Sequence, residues 1–196
     1  MAAGNVPVTG TGKHFKTESG DGGVSDPYVL SVALAAPASE TVAGKFVEPR
    51  DVLDLTLSLD TSIYADGDVL ADTQSLAGFF RTSGGVTLLE SVHVLDEDDQ
   101  GIAFDLIFLD ANTSLGTENS APNISDANAR SIIGRVPVAT GDYTDIGTSR
   151  VATVGALNRV LKAASGSTTL YVGAISRGTG TYTAAGIRLK FGIKQS

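Results

Sequence analysis

The run Thr9-Gly10-Thr11-Gly12-Lys13-His14 carries a Gly-Lys pair of the kind that backs a nucleotide phosphate. A phosphate-binding loop also needs a glycine five positions before that pair and a hydroxyl directly after the lysine, because backbone amides cradle the phosphates and the hydroxyl holds Mg²⁺. Those positions hold Pro7 and His14, and no apolar strand leads into them, so nucleotide chemistry is set aside. Two acidic groups could offer oxygens to Ca²⁺: Asp66 and Asp68 around Gly67, and the turn Asp96-Glu97-Asp98-Asp99. Neither has the twelve-residue spacing that ends in a bidentate glutamate, and both read as solvated turns. Zinc lacks ligands, since His14 and His93 are the only imidazoles and there is no cysteine. His93 stands between Val92 and Val94 in a β pattern and reads as a satisfied or exposed histidine. No Gly-x-Ser-x-Gly elbow occurs. Asp54, Glu90, Asp105 and Asp110 are the carboxylates that a glycosidase pair could draw on, but there is no tryptophan for a sugar platform. The expectation is therefore a non-enzyme with no catalytic, cofactor-binding or metal-ligating residues.

The elements around these residues are strands. Leu53, Leu55, Leu57 and Leu59 alternate with Asp54, Thr56 and Ser58, and Ile187, Leu189, Phe191 and Ile193 alternate with Arg188, Lys190 and Gly192. Period-two alternation in run after run, broken by Gly, Asp, Asn and Ser, indicates strands that bury one face. Further strands are expected at 75–81, 86–95, 102–109, 150–156, 159–162, 168–176 and 182–194. In the second of these, Val86, Leu88, Val92 and Val94 share a face with Glu90, and in the third Ile107 and Leu109 on the reverse face imply a covered, central strand. Ser83-Gly84-Gly85 reads as the turn into the 86–95 strand, and Ser165-Gly166-Ser167 and Gly178-Thr179-Gly180 read as hairpin turns. Gly67 is placed for a positive φ. A single helix of about two turns is expected from a Ser125 or Asp126 N-cap through Ile132 and Ile133 to Gly134. The fold class that results is all-β, a jelly-roll or Greek-key β-sandwich with one short helix and an extended N-terminal arm.

The chain has 196 residues, 42% of them apolar, enough for one core. Residues 1–47 are rich in glycine and broken by Pro27 and Pro37, and read as an arm; residues 48–196 read as the β-sandwich core. Within the arm, 28–35 and 41–47 are β-capable. The net charge of −8, with no lysine or arginine run, argues against nucleic acid as a partner. The longest early apolar run, Val29 to Ala36, is too short for a membrane span, and the N-terminus lacks a leader pattern, so a protein made in a cytoplasm is expected.

The run Ile63-Tyr64-Ala65-Asp66-Gly67-Asp68, the strand and loop from Asp105 to Ser114, the Ile124-Ser-Asp-Ala-Asn128 segment and the stretch Ala174 to Tyr182 together resemble the capsid decoration, or cement, proteins of tailed bacteriophages. The resemblance spans about 140 residues, from Leu55 to Ile193, and leaves out the first 47. It implies a structural virion protein on the outer capsid surface, with the major capsid protein and itself, as a homotrimer, for partners. It brings no functional residues with it. A carbohydrate- or host-binding module is the alternative, with Tyr64, Tyr143 and Tyr182 as the aromatics near predicted turns.

Overall fold

In the computed structural model, residues 5–7, 14–16, 41–42, 45–46 and 49–195 are described. The chain divides into two units, Met1–Glu40 and Thr41–Ser196. In the first, β1 (Asn5–Pro7) pairs antiparallel with β2 (His14–Lys16). The boundary expected after residue 47, most of the arm, and Thr9 to Lys13 of the Gly-Lys run lie outside the described residues. The second unit opens with the two-residue pair β3 (Thr41–Val42) and β4 (Lys45–Phe46).

The strands that follow are β5 (Arg50–Thr56), β6 (Val69–Leu76), β7 (Val86–Asp96), β8 (Phe104–Leu109), β9 (Ile132–Val138), β10 (Tyr143–Asp145), β11 (Arg150–Val154), β12 (Arg159–Lys162), β13 (Leu170–Ser176) and β14 (Ile187–Gln195). One sheet has the order β10-β11-β7-β14-β5, with β12 continuing along β7 beside β11; the other has the order β6-β13-β8-β9. Every pairing is antiparallel, and the pairs are nested: β8 with β9, β7 with β11 and β12, β6 with β13, β5 with β14. Taking β11 and β12 as one strand, this is a long hairpin rolled up so that successive strands fall in opposite sheets, the jelly roll.

That topology corrects the expected turns. The connections at 83–85, 165–167 and 178–180 join strands of different sheets, so each crosses the sandwich and none is a hairpin. Local turn residues announce a reversal but not which sheet receives the next strand. The strand expected at 75–81 ends at Leu76, and the two phenylalanines beyond it, Phe79 and Phe80, plug the core from a loop. The helix is one turn, α1 (Asp126–Ala129), capped by the Ser125 hydroxyl accepting from Asn128 N at 3.2 Å. Ile132 and Ile133 open β9 instead, because the β-branched run Ile-Ile-Gly-Arg-Val finds a partner in β8. The strand expected from residue 182 starts at Ile187.

The core lies between the sheets. Leu57, Phe104, Leu106, Phe108, Val172, Ile187, Leu189 and Phe191 are fully buried, and Phe108 meets Phe191 edge-on across the sandwich at 6.2 Å. In β7 the expected face breaks. Gly192 opposes Ser91 and Ile193 opposes Leu89, which leaves Glu90 as an extra residue in the strand. Such a bulge reverses the parity of everything before it. Thr87 and Leu89 therefore point inward while Val86 and Leu88 are only half-buried, and Val92, Val94 and Asp96 face the core beyond the bulge. On the other edge, 155–158 loop out opposite Glu90, whose carbonyl accepts from Leu157 N at 3.0 Å, with Ala156 and Asn158 at φ 54° and 47°.

The covered position expected for β8 is present. The segment 110–125 lies over the outer face of the small sheet, where Leu115 joins Val69, Leu109 and Ile175 in a second buried cluster. Gly173 lets it approach: a Cβ there would stand 2.5 Å from Leu115 Cδ1.

Candidate functional site

The registers bring four segments to one end of the roll: 57–68, 97–103, 139–149 and 177–186. They are tied together by Tyr64 pairing with Gly180, Leu59 N donating to Ala184 O at 3.1 Å and Arg177 N donating to Ala103 O at 2.8 Å. These segments carry Asp60, Asp66, Asp68, Glu97, Asp98, Asp99, Asp142 and Asp145 against Arg177 as their one cation. Arg150 and Arg188, at the adjoining strand ends, offset two of these acids.

The acidic turn here is not simply solvated. Asp96 is fully buried and accepts from Gly101 N at 2.7 Å and from Asp98 N at 3.0 Å, so its carboxylate shapes the turn. Burial pushes its pKa up, and those backbone donors pull against the rise. Asp98 Oδ2 accepts from Thr183 N and Oγ1 at 2.8 and 3.0 Å, Asp99 pairs with Arg150 at 2.8 Å, and Glu97 pairs with Arg188 at 2.8 Å. The turn is a latch that holds 181–183 and two strands in place. At Asp66 and Asp68, Gly67 takes φ 92° as expected, and Asp68 Oδ2 accepts from Ala65 N at 2.8 Å. Among the described residues no group of three or more His, Cys, Asp or Glu side chains is arranged to hold a metal ion.

The carboxylates considered for acid–base work are separated. Asp54 is on the outer face of the large sheet, paired with Lys190 at 2.8 Å, and Glu90 is in the β7 bulge, 3.8 Å from Arg50. Asp105 is on the outer face of the small sheet, and Asp110 follows β8 at the opposite end. Asp105 is nonetheless unusual, being 1% exposed yet bonded to Arg135 and Arg177 at 2.7 Å each. Burial alone would raise its pKa; the two guanidiniums outweigh it and hold the carboxyl below its ordinary range. Its spacing in sequence gave no sign of this, since Arg135 and Arg177 reach it from β9 and from the loop after β13. His93 lies on the outer face as expected, with Nδ1 2.9 Å from Thr153 Oγ1.

The three tyrosines turn inward. Tyr64 is 1% and Tyr182 3% exposed, their rings meeting edge-on at 6.2 Å, and Tyr143 is half-buried with its hydroxyl donating to Ile102 O at 3.3 Å. Burial lifts the Tyr64 hydroxyl to about 12 and raises those of Tyr143 and Tyr182 further. They seal the end of the core, and a sugar-stacking platform built on them is not there. An open recess of about 810 Å³ lies beside this end, lined by Asp60, Asp72, Glu118 and hydroxyls of 114–120. Asp72 there accepts from Leu115 N at 2.7 Å and Ser114 Oγ at 2.8 Å, bonds that fasten the covering segment.

Neither a protein-family model nor a curated protein matches this chain. It is similar to a chain of the native virion of Kashmir bee virus at neutral pH, with 10% identity and a TM-score of 0.36 over 99% of this chain and 90% of that one, a likeness too slight to bear on fold or function.

Proposed function

We propose that this chain is a structural virion protein, a decoration protein that binds the outer surface of a phage head and clamps neighbouring major capsid subunits. The observation that supports it is the roll itself: a sandwich filled from end to end by Phe, Leu and Tyr side chains, with its polar residues committed to fastening loops. Such a body is a rigid block that presents edges and loop ends, the properties a clamp needs, and jelly rolls serve in viral capsids as they do elsewhere. The sequence resemblance to cement proteins narrows the reading to the head surface, and adds a trimer as the working form. The arm, residues 1–47, is the attachment element in this proposal, adding strand to a neighbour by backbone hydrogen bonds. Synthesis in the host cytoplasm fits a chain without cysteine.

Purified full-length protein and a form lacking residues 1–47 are each mixed with undecorated heads and sedimented. The full-length chain is expected in the pellet at saturating, symmetry-related stoichiometry and the shortened one in the supernatant. A full-length chain that stays in the supernatant sinks the head-surface reading, and equal pelleting of both forms removes the arm from it.

A further inference from the structure

We infer that the free edge of β5 is a self-complementary surface that pairs antiparallel with β5 of a second copy, about a two-fold axis at Val52. The large sheet ends at β5, and among the described residues no strand pairs with its other edge. Leu57 N donates to Ile187 O and Gln195 N to Pro49 O, so the odd-numbered residues of the strand bond to β14. Alternation then points the backbone groups of Arg50, Val52, Asp54 and Thr56 outward. Thr56 O is already taken by Gln74 Nε2 at 3.3 Å, which leaves the stretch centred on Val52 to bond with a partner.

The side chains on the outer face of that stretch read Arg50, Val52, Asp54, and Val52 is 60% exposed. Reversed, the same stretch reads Asp, Val, Arg. Setting Val52 opposite Val52 of the other copy therefore puts Arg50 opposite Asp54 twice, an arrangement in which directly facing cross-strand pairs are an apolar contact flanked by opposite charges. A contact that maps a patch onto itself is what two-fold association requires. Lys190 and Glu90, the present partners of Asp54 and Arg50, are exposed pairs that can join the new ones without being broken. Asp51 opposes the contact: its Oδ1 accepts from Val52 N at 2.8 Å, the donor that the Val52 carbonyl of the other copy would take. Carboxylates on sheet edges restrain such pairing, and here one residue sets its strength. The inference is independent of the capsid reading. If the chain forms trimers by another surface, each trimer presents three such edges and the mass rises by a factor of two or more.

The test is solution mass by light scattering across a concentration series of the full-length chain. Wild type is expected to double its mass, with Arg50→Asp and Asp54→Arg each shifting the half-association concentration upward about tenfold or more by placing like charges opposite each other twice. Mixing the two variants restores association, because one then offers two aspartates and the other two arginines. Asp51→Ala moves half-association to lower concentration. Wild type and Asp51→Ala both failing to double, or a mixture no better than its components, overturns the inference. Should a single exchange unfold the chain by circular dichroism, the Asp51→Ala result decides alone.

Discussion

Asp105 and Asp96 are two buried carboxylates with opposite responses to pH. The folded pKa of Asp105 is held below that of the unfolded chain, so the stability it contributes is present above the ordinary aspartate range and is lost as pH falls through the folded value. Asp96, raised by burial, works in the other direction: its contribution is whole below the ordinary aspartate range and is lost as pH rises through its folded value. Because Arg135 and Arg177 are about half exposed, the Asp105 cluster is worth less than a fully buried ion pair. Asp105→Asn is expected to cost about 2 kcal/mol at pH 7, with the gap from wild type narrower at pH 3, where the unfolded chain's aspartate takes up its proton. Urea unfolding at both pH values checks this, and a gap that is the same at both would show that charge is not what the arginines hold. None of this was legible in the sequence, where Asp105 is one polar residue in an apolar strand. Its partners come from a neighbouring strand and from a loop some seventy residues away, and only strand order brings them together.

At the scale of elements, the sequence read well where alternation ran unbroken. The inward faces of β14 and of Leu53 to Leu59 are as expected, and so is the covered reverse face of β8. It read badly wherever one residue changed the parity. Glu90 looked like the one discordant member of a continuous apolar face, whereas it is the inserted residue that divides two faces. The compensating loop at 155–158 forces an alanine into the left-handed region, where a Cβ is unfavourable. Ala156→Gly is therefore expected to stabilise the protein, by about 0.5–1 kcal/mol after the entropy that glycine adds to the unfolded chain. Thermal unfolding would show it, and a lower melting temperature would mean the conformation at 156 is not what the bulge demands. The helix failed for a related reason. Ser125 caps as its chemistry dictates, but Ile132 and Ile133 had a strand to join, and pairing outweighed local periodicity.

The whole molecule was the least legible, because glycine-rich turns look alike whether they close a hairpin or cross a sandwich. Nested pairing is a property of the complete chain. The acidic end is likewise invisible until the four connecting segments are seen to share it. The nesting also makes stability collective. Deleting Ile187 to Gln195 removes the strand between β5 and β7 and takes Ile187, Leu189, Phe191 and Ile193 out of the core, so the truncated chain is expected to lose its cooperative thermal transition entirely. A retained transition would mean that the small sheet folds without the large one.

The nested order of pairs also sets a timetable. On the ribosome β5 is made early, and its one strand partner among the described residues, β14, more than a hundred residues later. At typical elongation rates, about 5–20 residues per second, that is a wait of roughly ten seconds with an apolar strand unpaired. The innermost pair, β8 and β9, can close first, and each later strand must find its place outside the last. Translation thus rolls the sheet from its middle outward, and the nascent chain must be kept from its neighbours until the final strand arrives.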